Sequence, residues 1–355
     1  MVQGHPNRTM LVTGSSGLVG SEAVLYFEGR GWNVVGIDNN MRAEFFGPGG
    51  DTRWNLDRLK QQTERFSHLS IDIRDRDSVL GTFKQRRPDA IIHCAAQPSH
   101  DFGAVRPFEN FDINATGTLN LLEAARQYSP DAPFVYVSTN KVYGDIPNSL
   151  ELVETETRFD YAREEDFFGV DETCGIDQCL HSLMGAAKAA GDLMTQEYGR
   201  YFNMPTACFR GGCLTGPAHS GVELHGFLSY LVRAAVQGIP YRVFGYRGKQ
   251  VRDQIHSFDL IRAFEAFIEA PRIGEVYNIG GGRSCNASVL ETIALVEAVS
   301  GCKLHFTIEA QERKGDHICY ISDIRKFRSH YPSWELTRTL EQIVEEVVRA
   351  CSASS

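Results

Sequence analysis

Short apolar runs alternate with amphipathic stretches over the first 140 residues of the chain. Five of the runs predict buried strands: MLVTG, WNVVGID, LSIDI, DAIIHCAA and PFVYVST. Between them, apolar residues at helical spacing predict helices over 22–30, 77–86 and 111–128. Strands that alternate with helices and are apolar throughout are typical of a parallel sheet covered on both faces. The pattern therefore predicts an α/β fold with a doubly wound, Rossmann-type parallel sheet.

Similar patterns predict further elements later in the chain. A long helix is expected over 184–201, and the strand TACFRGG follows it. Beyond about residue 215, helices are expected in GFLSYLVRAAVQG and LIRAFEAFIEA, and over 286–300 and 339–351. EVYNIGGG reads as a strand, and YRVFGYRGKQVRDQIHS as strand and loop. The second half is thus also predicted to mix helices with strands.

Two stretches without a clear period, 41–65 and 146–178, are predicted to be long connections. Connections of this length usually carry function or are mobile. The length of the chain suggests about two domains. We predict a first domain over 9–210, with a returning segment near 250–280, and a smaller C-terminal α/β domain over 211–350.

The composition narrows the class of protein. Of the 355 residues, 42% are hydrophobic and 23% are charged, and the net charge of -9 disfavours nucleic-acid binding. The start MVQGHPNRTM lacks the apolar run of a signal peptide, and no stretch approaches the roughly 20 apolar residues of a membrane span. Nine scattered cysteines, without CxxC or HExxH, predict reduced thiols in the cytoplasm and no metal site.

A glycine-rich turn follows the first predicted strand. In TGSSGLVG, Gly14 permits a tight turn, Gly17 lets the backbone approach a pyrophosphate, and Gly20 lets helix and strand pack closely. The helix that opens here would present free N–H groups to the phosphates. Asp38 ends the second strand, where a carboxylate binds a ribose 2′-hydroxyl and repels a 2′-phosphate. These features predict NAD as the cofactor, in preference to NADP.

Residues at other strand ends extend the predicted cofactor site. Asp72 and Ile73 suit a contact with the adenine edge, and the small Ala95 and Ala96 after the fourth strand let a dinucleotide lie close. The other residues that we assign to this site are Ser16, Leu18, Asn39, Gln97, Asn114, Ser138 and Lys188.

Several motifs together resemble those of the extended short-chain dehydrogenase/reductase family, the NAD-dependent nucleotide-sugar epimerases and dehydratases. They are TGxxGxxG, the Asn114-Ala-Thr-Gly-Thr helix start, the Ser-Thr strand end at 138–139, and Lys188. The resemblance covers about 9–348 of the chain. Within the family, STNKVYGD, VETETRFDY, GVDE and GKQVRDQIH are similar to the CDP-tyvelose (CDP-paratose) 2-epimerases.

The resemblance implies an enzyme that oxidises a carbon of a nucleotide diphosphate sugar with NAD and then returns the hydride to the other face of the ketone. It implies that Thr139 binds the reacting sugar hydroxyl and that Lys188 holds the nicotinamide ribose. Arg252 and Arg313 would bind the diphosphate, because a guanidinium pairs with phosphate oxygens in a bidentate way. The other candidate residues near the substrate are Asn140, Lys141 and Arg210.

The resemblance also implies how the chain would assemble. The helices over 111–128 and 184–201 would form the interface of a homodimer. NAD and the sugar would share a cleft at the carboxyl ends of the strands.

One position departs from the family. A tyrosine is expected four residues before Lys188, where it would take the hydroxyl proton, but Met184 stands there. The nearby titratable candidates for a substitute base are His181, Cys179, Lys141, Tyr143 and Tyr161. Of these, His181 has the most suitable ordinary pKa. The alternatives are a dehydratase or another reaction on the bound sugar, a binding protein on an enzyme scaffold, or an inactive form.

Overall fold

The computed structural model of the chain describes residues 8–223, 225–311 and 315–353. The predicted substrate residue Arg313 lies outside these ranges. The chain forms two compact units. Unit 1 comprises the residues up to Thr139, Leu183–Arg210 and Leu260–Tyr277, and unit 2 comprises Asn140–Ser182, Gly211–Asp259 and the residues from Asn278 onward.

The strands are numbered in chain order: β1 (Thr9–Thr13), β2 (Asn33–Ile37), β3 (Phe66–Leu69), β4 (Ala90–His93), β5 (Phe134–Thr139), β6 (Leu152–Glu154), β7 (Phe159–Tyr161), β8 (Thr206–Gly211), β9 (Cys213–Thr215), β10 (Tyr241–Phe244), β11 (Val251–His256), β12 (Glu275–Ile279), β13 (Asn286–Ser288), β14 (Phe306–Glu309) and β15 (Cys319–Tyr320).

The α-helices are numbered likewise: α1 (Leu18–Glu28), α2 (Met41–Phe46), α3 (Arg53–Gln62), α4 (Arg76–Arg86), α5 (His100–Val105), α6 (Pro107–Phe111), α7 (Gly117–Tyr128), α8 (Leu183–Phe202), α9 (Phe227–Gln237), α10 (Ser257–Glu269), α11 (Val289–Ser300), α12 (Arg325–His330) and α13 (Leu340–Ala353). A π-helical turn, Asp112–Thr116, joins α6 to α7.

A seven-stranded sheet forms the centre of unit 1, in the order β12-β8-β5-β4-β1-β2-β3. The neighbours of β1 and β4 in this sheet pair in parallel. The residues of β1 and β4 are almost wholly buried, as the continuous apolar runs predict. Leu11 and Ile91 contribute from the sheet to a core that Phe83 of α4 and Leu121 of α7 complete. The predicted Rossmann-type α/β fold is confirmed.

Unit 2 contains smaller sheets. β11 pairs with β9, β13 and β15, β10 pairs in parallel with β14, and β6 pairs with β7 as a short hairpin. A second core packs α9, α11 and α13 together around Leu231, Val296 and Val344. α11 begins with a capping box, in which Ser288 and Glu291 satisfy each other's backbone N–H groups.

Two predicted elements differ from the structure. The third strand was expected in LSIDI, but β3 occupies Phe66–Leu69. β3 is an edge strand of half-exposed residues, whereas Ile73, in the loop after it, packs into the core and supplied the apolar signal. The stretch 41–65, expected as a connection, folds into α2 and α3. Only two residues of α3 are buried, so its sequence carries little apolar periodicity.

The units divide the chain differently from the predicted domains. The prediction assigned 9–210 to one domain, whereas Asn140–Ser182 packs within unit 2. The returning segment of unit 1, expected near 250–280, is Leu260–Tyr277.

Candidate active site

The glycine turn of unit 1 lies between β1 and α1. Gly14 has a φ of +66°, and a Cβ there would lie 2.8 Å from the backbone nitrogen of Ala95. A Cβ on Gly20 would lie 2.1 Å from the carbonyl oxygen of Gly14, so that only glycine lets α1 pack this close. No side chain caps the start of α1, which follows Gly17 and begins at Leu18. Its first N–H groups are therefore available to an anion.

The predicted acid Asp38 lies directly after β2 and contacts this turn. Its Oδ2 accepts a hydrogen bond from the backbone N–H of Ser16 at 3.0 Å, and its Oδ1 accepts one from Asn40 at 2.8 Å. Asn39 donates from its side chain to Asp72 at 3.1 Å. Burial opposes the ionisation of Asp72, but hydrogen bonds from Arg74 outweigh it and lower the pKa of this carboxyl. The hydrogen bond of Asn39 thus links the acidic segments that follow β2 and β3 beside the glycine turn.

Several buried polar atoms around the turn have no hydrogen-bond partner among the described residues. They include the Oγ atoms of Ser15 and Ser16 and both side-chain amide atoms of Gln97, although all three residues are almost wholly buried. Buried polar groups are normally paired, and a group left unpaired calls for a ligand or water. The small Ala95 and Ala96 lie in the same loop as Gln97 and are only half-buried. These residues fit a bound dinucleotide.

Asn114 fixes the loop that follows β4. Its side chain accepts from the backbone N–H of Gln97 at 3.0 Å and donates to the carbonyl of Gln97 at 2.9 Å and to Asn110 at 3.0 Å. It lies in the π-helical turn, a feature found frequently at functional sites. Ile73 packs against Gly117, where a Cβ would lie 2.6 Å from its Cδ1. In this structure Asn114 and Ile73 support the loops of the site.

The carboxyl end of β5 carries the predicted Ser138 and Thr139. Ser138 is buried and donates from Oγ to Asp192 Oδ2 at 2.5 Å. Asp192 also receives two hydrogen bonds from Arg210, at 3.1 and 2.8 Å, and both partners are almost fully buried. Arg210 was predicted to bind substrate, but this ion pair favours a role in positioning Ser138. Thr139 ends the strand and is half-buried.

α8 carries Met184 and Lys188 one turn apart. Both are buried, each 5% exposed. The Lys188 Nζ donates to the carbonyl of Val137 at 2.7 Å and lies 4.2 Å from the centre of the Tyr136 ring. Burial lowers the pKa of Lys188 to about 8. A thioether neither donates nor accepts a proton at neutral pH, so Met184 cannot do the work of a phenol.

The other titratable candidates lie in unit 2. The His181 Nε2 donates to the Val142 carbonyl at 2.7 Å, which leaves Nδ1 facing the Cys179 Sγ at 3.5 Å. Burial raises the pKa of Cys179 and that of Tyr161. Tyr143 is fully buried and donates to Asn278 at 2.9 Å. The Cys179 thiol and the Tyr161 phenol therefore hold their protons tightly and make poor bases.

A buried cluster of charges in unit 2 contains two predicted residues. Asp316 accepts hydrogen bonds at Oδ1 from Arg252 at 2.6 Å and from Lys141 at 3.2 Å. Burial opposes the ionisation of Asp316, but the two cations outweigh it and hold the pKa of this carboxyl well below its usual range. Burial lowers the pKa of Lys141. With two cations and one carboxylate, the cluster has a formal charge of about +1 and can attract an anion. The predicted Asn140 is buried beside Lys141 in the chain.

Within residues 8–223, 225–311 and 315–353, no group of three or more His, Cys, Asp or Glu side chains is arranged to hold a metal ion. None of the helices in those ranges has the length and apolar character needed to cross a membrane.

Sequence reasoning missed two carboxylates, one in each unit. Asp192 lies one helical turn after Lys188 on the buried face of α8, and a charged residue at a predicted core position is a signal that could have found it. Asp316 lies in KGDH, beside the predicted Arg313, where the local pattern is polar throughout and gives no such signal.

The parallel sheet, the glycine turn and the acidic strand end of unit 1 are the features of a Rossmann-type dinucleotide-binding fold. Residues 10–280 match the sequence family described as the NAD dependent epimerase/dehydratase family. The chain belongs to this family. The predictions of the family, of an enzyme and of NAD as cofactor are confirmed.

Relatives of known activity cover most of the chain. A CDP-paratose 2-epimerase from Salmonella typhi is 32% identical over 324 aligned positions, and the alignment covers 89% of this chain and 91% of the relative. A dTDP-glucose 4,6-dehydratase from Neisseria meningitidis serogroup B is 29% identical over 362 aligned positions, gaps included, and the alignment covers 96% of this chain and 92% of the relative. The predicted class, nucleotide-sugar epimerases and dehydratases, agrees with these relatives.

Solved structures share the fold. A UDP-glucose 4-epimerase from Thermotoga maritima, solved with UDP-glucose, has a TM-score of 0.79 at 24% identity and covers 98% of this chain and 99% of its own. A UDP-glucuronic acid 4-epimerase from Bacillus cereus, in complex with UDP-glucuronic acid and NAD, has a TM-score of 0.78 at 24% identity, with 98% and 100% covered.

Proposed function

We propose that this chain is an NAD-dependent epimerase that acts on a nucleotide diphosphate hexose, with a CDP-linked sugar as its substrate, through a transient ketone. The observation that carries the proposal is the cradle in unit 1, where Gly14, Gly20 and Asp38 surround unpaired buried atoms of Ser16 and Gln97. The CDP-linked sugar follows from the similarity to the CDP-paratose 2-epimerase.

The residues of unit 1 divide the binding tasks in this proposal. The glycine turn and the start of α1 hold the pyrophosphate, and Asp38 holds the adenosine ribose. When bound, NAD supplies the hydride acceptor. Lys188 binds the nicotinamide ribose, and the Thr139 hydroxyl holds the reacting sugar hydroxyl. Ser138, fixed by Asp192, keeps the end of β5 in position for this contact.

The residues of unit 2 would bind the nucleotide diphosphate. Arg252 and Lys141 share the single carboxylate of Asp316, which leaves positive charge for phosphate oxygens. The side chain of Arg252 is only 12% exposed, so that water would weaken its hydrogen bonds to an anion only in part. Arg313 joins it in the proposal through the family resemblance alone.

The alternative reaction is the dehydration catalysed by the relatives from Neisseria and other bacteria. Loss of water from a sugar needs one group that takes a carbon-bound proton and another that protonates the leaving hydroxyl. The segment 139–141 after β5 offers a hydroxyl, an amide and an amine, but no carboxyl group. This composition favours epimerisation over dehydration.

The test starts with the purified protein. After acid denaturation, chromatography of the supernatant should show bound NAD. CDP-paratose and dTDP-glucose, each deuterated at the reacting carbon, are then incubated with the protein and followed by proton NMR. The proposal expects a CDP-linked epimer that retains the deuterium, without net NADH release. A 4-keto-6-deoxy product from dTDP-glucose would show that the chain catalyses dehydration. Recovery of both sugars unchanged would refute the proposed enzyme activity.

We further propose a cytoplasmic homodimer. Unit 1 exposes large apolar side chains on or next to the helices predicted for the interface: Phe108 of α6, just before the predicted helix 111–128, is 86% exposed, and Tyr201 of α8 is 80% exposed. Tyr201 also contacts the exposed Phe202, and adjoining apolar side chains of this kind mark interaction surfaces. Light scattering after size exclusion should give twice the chain mass for the wild type and the chain mass for Phe108→Glu/Tyr201→Glu. A monomeric wild type would refute the dimer.

A further inference from the structure

The unusual feature of unit 1 is a buried lysine that has a methionine one helical turn before it. The buried side chain of Met184 is a thioether, and a thioether cannot exchange a proton. Lys188 therefore does not act on a tyrosine at position 184. It is itself the proton-bearing group on this face of α8 near the carboxyl end of β5, where its Nζ contacts Val137 at 2.7 Å.

The groups that face Lys188 leave its ammonium without a counter-ion. The carboxylate of Asp192, one turn later on α8, accepts hydrogen bonds from Ser138 and Arg210. No described carboxylate forms an ion pair with Lys188. The direct partners of Nζ are a carbonyl oxygen and the face of Tyr136, both neutral. These neutral partners stabilise an ammonium less than a carboxylate would.

The titratable groups on the neighbouring strands are neutral as well. On β4 and just after it, burial holds the pKa of His93 well below its ordinary value and raises the pKa of Cys94 to about 12. On β5, burial raises the pKa of Tyr136, and on β8 it raises that of Cys208. Desolvation of the ammonium therefore dominates, and it lowers the pKa of Lys188 to about 8. An amine of this kind is partly neutral near pH 8 and can serve as a base.

We infer that the Lys188 amine is the general acid–base of this chain and replaces the missing phenol in the reaction. The inference rests on the proposed epimerase function. The neutral Nζ would accept the proton of the sugar hydroxyl, and the electrons of the O–H bond would become the second bond of the ketone. NAD, when bound, would supply the acceptor for the hydride from the same carbon. The ammonium would return its proton to the oxygen when the ketone is reduced from the opposite face.

The first test measures the proton on Lys188 directly. Protein labelled with [13Cε]lysine is titrated by NMR, and the Lys188 signal is assigned by its absence in Lys188→Met. The inference expects a midpoint near 8, against the ordinary lysine value of about 10.4. A midpoint above 10 in a protein that turns over a sugar would overturn the inference and leave the proposed function intact.

The second test separates proton transfer from cofactor binding. Arginine keeps the positive charge and the donors but cannot deprotonate. Lys188→Arg should lower kcat by about 10²- to 10⁴-fold. NAD affinity, measured by fluorescence titration, should fall by less than about tenfold. The wild-type kcat/KM should rise with pH to a plateau above about 8. Activity of Lys188→Arg within threefold of wild type, or a flat pH profile, would overturn the inference. A wild type inactive on every sugar tested would refute the proposed function, and the inference with it.

Discussion

Replacing Arg210 with methionine should strongly destabilise unit 1, because the change leaves the carboxylate of Asp192 buried without its counter-ion. In the wild type, Asp192 receives two hydrogen bonds from Arg210, one from Ser138 at 2.5 Å and one from Gln196 at 2.7 Å. Methionine fills a similar volume but supplies neither the charge nor the donors. The remaining partners, a hydroxyl and an amide, are neutral.

The magnitude follows from the burial of the pair. The side chains of Arg210 and Asp192 are 5% and 1% exposed, so that water cannot compensate either charge. Removing one partner of such a pair costs about 3–5 kcal/mol of unfolding free energy, whereas replacing both charges is much less costly. Asp192→Asn/Arg210→Met should therefore be more stable than Arg210→Met alone, by roughly 2 kcal/mol or more.

The assay is equilibrium unfolding in urea, followed by tryptophan fluorescence. Trp32 and Trp54 belong to unit 1, so a Trp334→Phe background gives a signal from this unit alone. All variants are made in that background, and far-ultraviolet circular dichroism checks that they fold. A loss below about 1 kcal/mol for Arg210→Met would refute the reasoning, as would a double variant whose loss equals the sum of the two single losses.

Three further predictions concern the cradle and the interior of unit 2. Gly20→Ala should abolish NAD retention, because its Cβ would lie 2.1 Å from the Gly14 oxygen, whereas Gly81→Ala, which meets open space, should retain NAD in the same chromatographic assay. Asp38→Asn should reduce the ratio of the affinities for NAD and NADP by about tenfold, because the repulsion of a 2′-phosphate is lost, and fluorescence titrations with both dinucleotides measure this ratio. Burial raises the pKa of Asp253 to about 6, so the fold favours its protonated form. Stability should therefore fall by a few kcal/mol as pH rises from about 4 to 6, and Asp253→Asn should remove this fall in urea titrations. An unchanged pH profile in that variant would contradict the assignment to Asp253.

The central sheet could be predicted from the sequence because its inner strands are buried on both faces. β1 and β5 were found from their apolar runs within one residue of their ends, and β4 begins one residue after its predicted start and ends three residues before its predicted end. β3 was misplaced because an edge strand does not need a continuous apolar run. The apolar signal came from Ile73, which lies beyond β3 and packs into the core. Apolar periodicity thus reports burial more directly than it reports secondary structure.

The candidate site could be predicted in part. Glycines and an acid at strand ends identify the cradle from sequence, since the turn and the close approach of α1 leave few other residues possible at Gly14 and Gly20. The pairing of Arg210 could not be read in the same way. Its partner Asp192 is 18 residues distant, and only the fold brings helix α8 against β8. A charged residue near a site can therefore either bind the ligand or pair with another charged side chain inside the protein, and its burial decides between these roles.

Two opposing effects set the protonation of Lys188. The negative charge of Asp192, one helical turn away on α8, favours the ammonium. Desolvation is the larger effect, and it favours the neutral amine. A phenol at position 184 would have needed the opposite, a stable ammonium that lowers the phenol's own pKa. With Met184 in that place, a lysine that gives up its proton near pH 8 is the more useful group.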